Sequence, residues 1–349
     1  MTITTASGKQ GNGPAAGAHA SAVGSPTASP TTQNRRDNLR KWAEILLFVG
    51  PAVGLFFTFV VYPVAQAARY SFYKWNGIEQ FSQAEYIGLD NYRRVLTGVV
   101  DGNDVFKSAY SEPFWEALGH NFAIIALSMA IQLPLALLIA LILNRVFPGR
   151  TAMRLVIFAP YVLSEVIAGI MWLIIFDPNG IATNLAERVG LGMPGNGWFE
   201  DQTWGFWTVF FIVTWKYLGL AIILFLAGLS GVPKELQEAS SIDGATWWQT
   251  QWRINVPLIG PTIRIWAFLS IIGSLQLFDM VWVLGRGGTT GQYSTIATFM
   301  MDRGFFRSDM GFGSAIAVIM FVISLAIALV YMAVILRRDN TNDNSANAR

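Results

Sequence analysis

The sequence contains no cysteine. That excludes a disulfide framework, a thiolate metal site and a cysteine nucleophile. Histidine is nearly absent too: His19 and His120 stand alone, and no histidine pair or carboxylate cluster has the spacing of metal ligands. Charge is scarce. Asp, Glu, Lys and Arg make up 13% of the 349 residues, where a soluble domain carries about 25%. The net charge of +2 is too small to imply a nucleic acid partner. No glycine-rich loop ends in Lys-Ser or Lys-Thr, so the chain is not expected to hydrolyse ATP itself. The N-terminal stretch also lacks the charged start, short apolar run and small-residue cleavage site of a signal peptide.

What is present is apolar: 53% of the residues, with a mean hydropathy of +0.43. This composition predicts an all-α integral membrane protein. A spanning helix needs about 20 mostly apolar residues. No charge occurs between Glu44 and Arg69, between Glu116 and Arg145, or between Asp309 and Arg337. Three further segments, Leu155–Phe176, Trp204–Val232 and Ile265–Leu284, each carry one interior charge. Six transmembrane helices are therefore expected in the lipid bilayer. The runs are continuous rather than alternating, which excludes a β-barrel. Pro51, Pro63 and Pro134 predict bends within their helices.

Lys and Arg set the orientation. Arg35, Arg36, Arg40 and Lys41 precede the first span, and Arg145, Arg150 and Arg154 lie between the second and third. Lys234, Arg253 and Arg264 lie between the fourth and fifth, and Arg337 and Arg338 follow the sixth. All fall on one side if both termini are cytoplasmic. The expected organisation is a disordered cytoplasmic tail over 1–41, a transmembrane domain over 42–338 and a second disordered tail over 339–349.

The sizeable internal loop runs from Pro233 to Pro261. Pro233 suits a helix start, and Lys234 to Ile242 holds good helix formers with no breaker. Asp243-Gly244 then punctuates the run, since glycine turns without a Cβ penalty. Ala245 to Asn255 reads as a second short helix stopped by Pro257. Pattern alone leaves two readings open. Trp247, Trp248 and Trp252 fit an amphipathic helix lying in the lipid interface. The helix-turn-helix equally fits a docking element for a cytoplasmic partner.

The spacing of Glu238-Ala239-Ser240, Gly244, Ile254 and Pro257 resembles the EAA loop of ABC-importer permeases. That pattern is Glu-Ala-Ala, three residues, Gly, nine residues, Ile, two residues, Pro; Ser240 departs from it but stays small. Trp215-Lys216, Leu226-Ala227-Gly228-Leu229 and Val232-Pro233 are similar to the approach to that loop in carbohydrate permeases. So are Pro160, Ala168-Gly169 and Trp172 ahead of Phe176-Asp177-Pro178, and Phe278-Asp279, Trp282 and Gly287-Gly288 further on. The likeness spans roughly residues 40 to 338 and points to the maltose-type branch of ABC importer permeases. It implies a second homologous permease, two ATPase subunits that hold ATP and magnesium, an extracytoplasmic solute-binding protein and a sugar substrate. It further implies that Glu238, Ala239, Ser240, Asp243, Gly244, Ala245, Ile254 and Pro257 form the ATPase-coupling loop.

Glu165, Lys216 and Asp279 are costly in the bilayer, about 2.5–3.5 kcal/mol each on insertion scales, so each should face the bundle, water or a partner. Glu165 and Lys216 lie at similar depth, which allows an ion pair. One reading is a polar path for sugar hydroxyls, with Trp172, Trp215 or Trp282 stacking on the ring. The other is a set of interhelix contacts. Two further functions compete with the sugar importer: an ion-driven secondary transporter, which leaves the EAA loop unexplained, and a related permease for a solute such as a glycerol phosphodiester.

Overall fold

The computed structural model describes residues 30–99, 107–190, 194, 197–288 and 291–346. The chain divides into a unit ending at Tyr62 and a larger unit beginning at Pro63. The first holds α1 (Pro30–Phe56), which runs into a π turn, Phe57–Val61.

The larger unit continues from α2 (Tyr62–Tyr70) into a short antiparallel hairpin, β1 (Tyr73–Lys74) and β2 (Glu85–Tyr86), with Tyr73 opposite Tyr86. Next comes α3 (Asp90–Thr97). α4 (Lys107–Leu127), a π turn (Ser128–Gln132) and α5 (Leu133–Asn144) form one long helix. α6 (Arg150–Val162), α7 (Glu165–Ile175) and α8 (Ile181–Arg188) follow, then the 27-residue α9 (Trp204–Ser230). The internal loop holds α10 (Lys234–Ile242), α11 (Trp247–Thr250), a π turn (Gln251–Asn255) and α12 (Val256–Leu258). The chain ends with α13 (Gly260–Leu275), α14 (Asp279–Leu284), α15 (Ile296–Met301) and α16 (Met310–Ala346).

Among the described residues, four helices are long and apolar enough to cross a membrane: Lys41–Tyr70, Ser111–Asn144, Trp204–Ser230 and Met310–Ala333. Two more candidates are bent pairs, α6 with α7 at 101° and Trp247–Leu258 with α13 at 66°. Counting each pair once gives up to six spans. Two predicted spans are thus not single helices. Leu155–Phe176 breaks at Leu163-Ser164, three residues after Pro160. Ile265–Leu284 breaks after Leu275, where Phe278 takes a non-helical backbone (φ −130°, ψ −69°). Broken backbone is tolerated at such depth only when other groups satisfy its carbonyls, and both breaks have such partners. Ser274 O accepts from Asn121 Nδ2 at 2.6 Å and Leu277 O accepts from Thr295 Oγ1 at 2.7 Å. The partners at the first break belong to the site described below.

The helices also reach into both predicted tails, since α1 begins at Pro30 and α16 runs to Ala346. Extending an existing helix is far easier than nucleating one, so polar flanks continue the apolar spans. Residues 1–29 and 347–349, the rest of those tails, lie outside the described residues.

The core has three parts. α5 and α9 pack Leu137, Leu141, Ile222 and Phe225 together. α7, α9 and α14 gather Ala168, Ile212, Met280 and Val281. α3, α4, α15 and α16 enclose Phe114, Phe299 and Phe312. Without a hydrophobic drive between helices in lipid, close backbone approach matters. At Gly219 on α9, a Cβ would lie 2.8 Å from the carbonyl oxygen of Ile157 on α6.

Candidate functional site

The loop from Pro233 to Ile259 is built by two caps set back to back. α10 ends in a Schellman motif: the Gly244 N–H donates to Ser241 O at 3.2 Å and the Ala245 N–H to Ser240 O at 2.9 Å. That closure requires a left-handed residue, and Gly244 has φ +75°. Two residues on, Thr246 opens α11 with a capping box. The Thr246 N–H donates to Gln249 Oε1 at 2.7 Å and the Gln249 N–H to Thr246 Oγ1 at 3.4 Å. The turn between the helices is therefore satisfied by local bonds, leaving their outer faces unburied.

Glu238, Ala239, Asp243 and Gly244 are exposed, and Ile242 is 86% exposed. Ser240 alone of the Glu-Ala-Ser triplet is buried; its Oγ donates to Gln237 O at 2.8 Å and lies 3.0 Å from Thr250 Oγ1. The serine that departs from the Glu-Ala-Ala pattern thus ties α10 to α11. Ala245 is half-buried beside a cavity of about 250 Å³ that also touches Arg145, Gln237 and Trp247. The Arg145 guanidinium sits 5.1 Å from the Trp247 ring, a cation–π contact that ties the end of α5 to the loop. Trp247 is half-buried, whereas Trp248 and Trp252 are exposed.

Pro257 does not stop the second helix. The chain widens into the π turn Gln251–Asn255, passes Pro257 inside α12 and kinks at Ile259. A π turn lengthens the backbone bonds to i→i+5 and so makes room for a ring that would otherwise clash with the preceding turn. Ile254 lies half-buried within this wide turn.

Within the spans, the Glu165–Lys216 ion pair that their similar depth allows is not formed. Lys216 is buried on α9, 3% exposed. Its Nζ donates to Pro160 O at 3.3 Å, to Tyr161 O at 3.2 Å and to Leu163 O. These carbonyls cluster where α6 ends, Pro160 O also accepting from the Leu163 N–H at 3.3 Å, and a cation at a helix C-terminus is favoured by the helix dipole. Glu165, in the first turn of α7, accepts a hydrogen bond from the Tyr217 hydroxyl instead. Adjacent residues of α9 thus grip both sides of the break.

The three tryptophans do not form one array. Trp172 and Trp215 meet edge to face at 5.2 Å, and Trp172 also stacks on Phe176 at 5.4 Å. Trp282 stacks on Phe278 at 5.6 Å and reaches Phe306 at 5.2 Å. Asp279 is exposed in the first turn of α14.

A cavity of about 130 Å³ lies between the π turn of the second span, α9 and α13. Ser128, Gln132, Tyr217, Ser270 and Ser274 supply its polar edge and Trp266 part of its apolar wall. Sequence reasoning sought charge inside the spans and passed over these neutral groups. Their spacing was nonetheless a signal: 128 and 132, like 270 and 274, are four apart and share a helix face.

Residues 132–340 match the family described as "binding-protein-dependent transport system inner membrane component". The sulfoquinovosyl glycerol transport system permease protein of Agrobacterium fabrum is 29% identical over 295 residues, 84% of this chain and 91% of that protein. The arabinooligosaccharides transport system permease protein of Bacillus subtilis is 28% identical over 294 residues, 83% of this chain and 88% of that one. A chain of a bacterial alginate ABC transporter, solved in complex with an alginate pentasaccharide-bound periplasmic protein, shares the fold at a TM-score of 0.70. It is 23% identical, and the match covers 85% of this chain and 94% of that one. The match to 132–340 runs from the start of α5 through the internal loop and into α16, and on it the chain belongs to the family of binding-protein-dependent transport system inner membrane components.

Proposed function

We propose that the chain is the permease subunit of an ATP-driven ABC importer that carries a sugar or oligosaccharide across the cell membrane. An external binding protein delivers the solute, a second homologous permease completes the pathway, and two ATPase subunits bind ATP and magnesium. Both termini and the loop from Pro233 to Ile259 face the cytoplasm.

The observation that carries this reading is the loop. Its helix is closed by its own caps, yet Glu238, Ala239 and Ile242 are exposed, with none of the described residues covering them. An amphipathic helix settled in lipid would present its apolar stripe together; here the exposed face mixes Glu235, Glu238 and Asp243 with Leu236 and Ile242. Such a face suits a groove on a protein. Glu238 and Ala239 would contact the ATPase, Gly244 and Asp243 would hold the bend, and Ala245 would permit close approach. Ser240 would transmit the motion to α11, and the wide turn at Ile254 and Pro257 would pass it to α13. ATP binding would do work because the ATPases bind nucleotide more tightly in one arrangement than the other. The relatives that carry sulfoquinovosyl glycerol and arabinooligosaccharides support a carbohydrate cargo.

Purification of the tagged chain from its own cells tests the assembly. A second permease and an ATPase should co-elute, and a sugar-loaded binding protein should stimulate ATP hydrolysis. A chain that elutes alone, with sugar uptake driven by an ion gradient, would instead establish the secondary-transporter reading.

A further inference from the structure

Trp247, Trp248 and Trp252 part ways in the folded loop. Trp247 is half-buried, and its ring meets the Arg145 guanidinium at 5.1 Å. Trp248 and Trp252 are instead 49% and 53% exposed. They lie four residues apart on one helical stretch and so share a face. No contact that builds the loop uses that face. An exposed indole belongs where an apolar body meets polar surroundings, which is why tryptophan gathers at membrane–water interfaces.

The stretch that carries the two rings is placed for such an interface. Trp247–Leu258 joins α13 through the kink at Ile259, and the two make one candidate span bent by 66°. With α13 as the spanning part, a bend of that size turns Trp247–Leu258 most of the way toward the membrane plane, at the depth where the span leaves the hydrocarbon. Ile265 and Leu269 are exposed on the first three turns of α13, so apolar surface open to lipid begins just past the kink.

Charge divides the loop at the same point. α10 and its cap carry Glu235, Glu238 and Asp243, all exposed. From Gly244 to Phe278 the sequence holds no Asp or Glu, only Arg253 and Arg264. Arg253 is exposed beside Trp252, and among the described residues no carboxylate pairs with it. A layer of anionic headgroups repels the first half of such a loop and attracts the second.

We infer that the loop is shared between two partners. α10 meets protein, while Trp247–Leu258 lies on the cytoplasmic leaflet, with Trp248 and Trp252 seated in the headgroup layer and Arg253 paired with the phosphate of an anionic phospholipid. The inference rests on the permease reading, which puts this loop in the cytoplasm, and deepens it. Lipid holds one arm of the loop, so a push on α10 turns the second arm about its tryptophan face instead of lifting the whole loop off the membrane.

The experiment uses the complete transporter, with partner permease, ATPases and binding protein, reconstituted in two membranes: phosphatidylcholine alone, and phosphatidylcholine with phosphatidylglycerol in equal parts. Because this chain has no cysteine, Trp252→Cys takes a bimane label at one place in it, and Ile242→Cys takes the same label on α10; cysteines of the other subunits are replaced. Phosphatidylcholine bearing a nitroxide on its headgroup should quench the label at 252 and spare the one at 242. Sugar uptake with ATP is the second readout. One arginine near an anionic surface is worth about a fivefold change in occupancy, so native uptake should run about fivefold faster in the membrane with phosphatidylglycerol. Arg253→Gln should lose most of that gain and Arg253→Lys should keep it. Equal native uptake in the two membranes, a gain that survives Arg253→Gln, or a label at 252 that headgroup nitroxides never reach would overturn the inference and leave the sugar-permease reading standing. A native transporter that takes up no sugar with ATP in either membrane would remove that reading, and the two labels would still decide where the loop lies.

Discussion

At the scale of single residues, the buried polar groups beside the two helix breaks serve backbone carbonyls. Lys216 collects three carbonyls at the break between α6 and α7. Asn121 and Thr295 collect those at the end of α13. Each is far away in sequence from the carbonyl it serves. Lys216 and Glu165 stood out in the sequence because charge is rare in the spans, but their partners could not be read there. A continuous apolar run gives no sign that its helix breaks, and so no sign that carbonyls will compete for the ammonium. The consequence is measurable. Lys216→Met should destabilise the purified protein by about 1–3 kcal/mol, the cost of stranding buried carbonyls, read as a lower thermal midpoint in detergent. Glu165→Gln keeps an acceptor for Tyr217 and should cost much less. Equal losses in the two variants would restore the ion-pair account.

At the scale of elements, three π turns share one arrangement. Phe57–Val61 ends two residues before Pro63, Ser128–Gln132 two before Pro134, and Gln251–Asn255 two before Pro257. In each, the next residue's N–H reaches back five residues, to Phe57, Ser128 and Gln251 respectively. A proline removes one helical hydrogen bond and crowds the turn before it; widening that turn relieves the crowding without ending the helix. The existence of these helices was legible from hydropathy. Continuation through Pro63 and Pro134 was legible as well, because both sit inside apolar runs; at Pro257, in a polar loop, it was not, and that proline reads as a stop in the sequence and as part of a helix in the structure. The bend at Gly244 was legible in full, because both the spacing and the conformational demand are local. Gly244→Val places a β-branched residue at φ +75°, where left-handed geometry costs about 1–2 kcal/mol. The variant should remain in the membrane, since none of the described residues packs within 4 Å of a side chain there, yet lose ATPase association and sugar uptake. Uptake at the native rate would count heavily against coupling through this loop.

At the scale of the larger unit, the long helix Ser111–Asn144 links three regions. It is about 50 Å long at 1.5 Å per residue. Near its start, Phe114 is buried among α3, α15 and α16, and Trp115 Nε1 donates to Leu96 O at 3.0 Å. That end is fastened further by the Arg94–Asp309 ion pair at 2.8 Å, and the Gly311 N–H donates to Trp75 O at 3.0 Å. Midway, Ser128 and Gln132 line the cavity. At its far end Leu141 and Arg145 meet the loop that carries Gly244. One continuous helix thus touches both the loop and this cavity, so a displacement of the loop bears directly on the cavity wall. Such a linkage has a clear energetic signature. If the loop is the only place where work enters, uptake into vesicles should stop when vanadate traps the ATPases and continue when a protonophore collapses the ion gradient. An ion-driven carrier would give the reverse pattern, because its driving ion would have to titrate or occupy a site in the path. Among the described residues that cavity offers neutral hydroxyls and one amide, and the buried ammonium of Lys216 nearby is already committed to three backbone carbonyls.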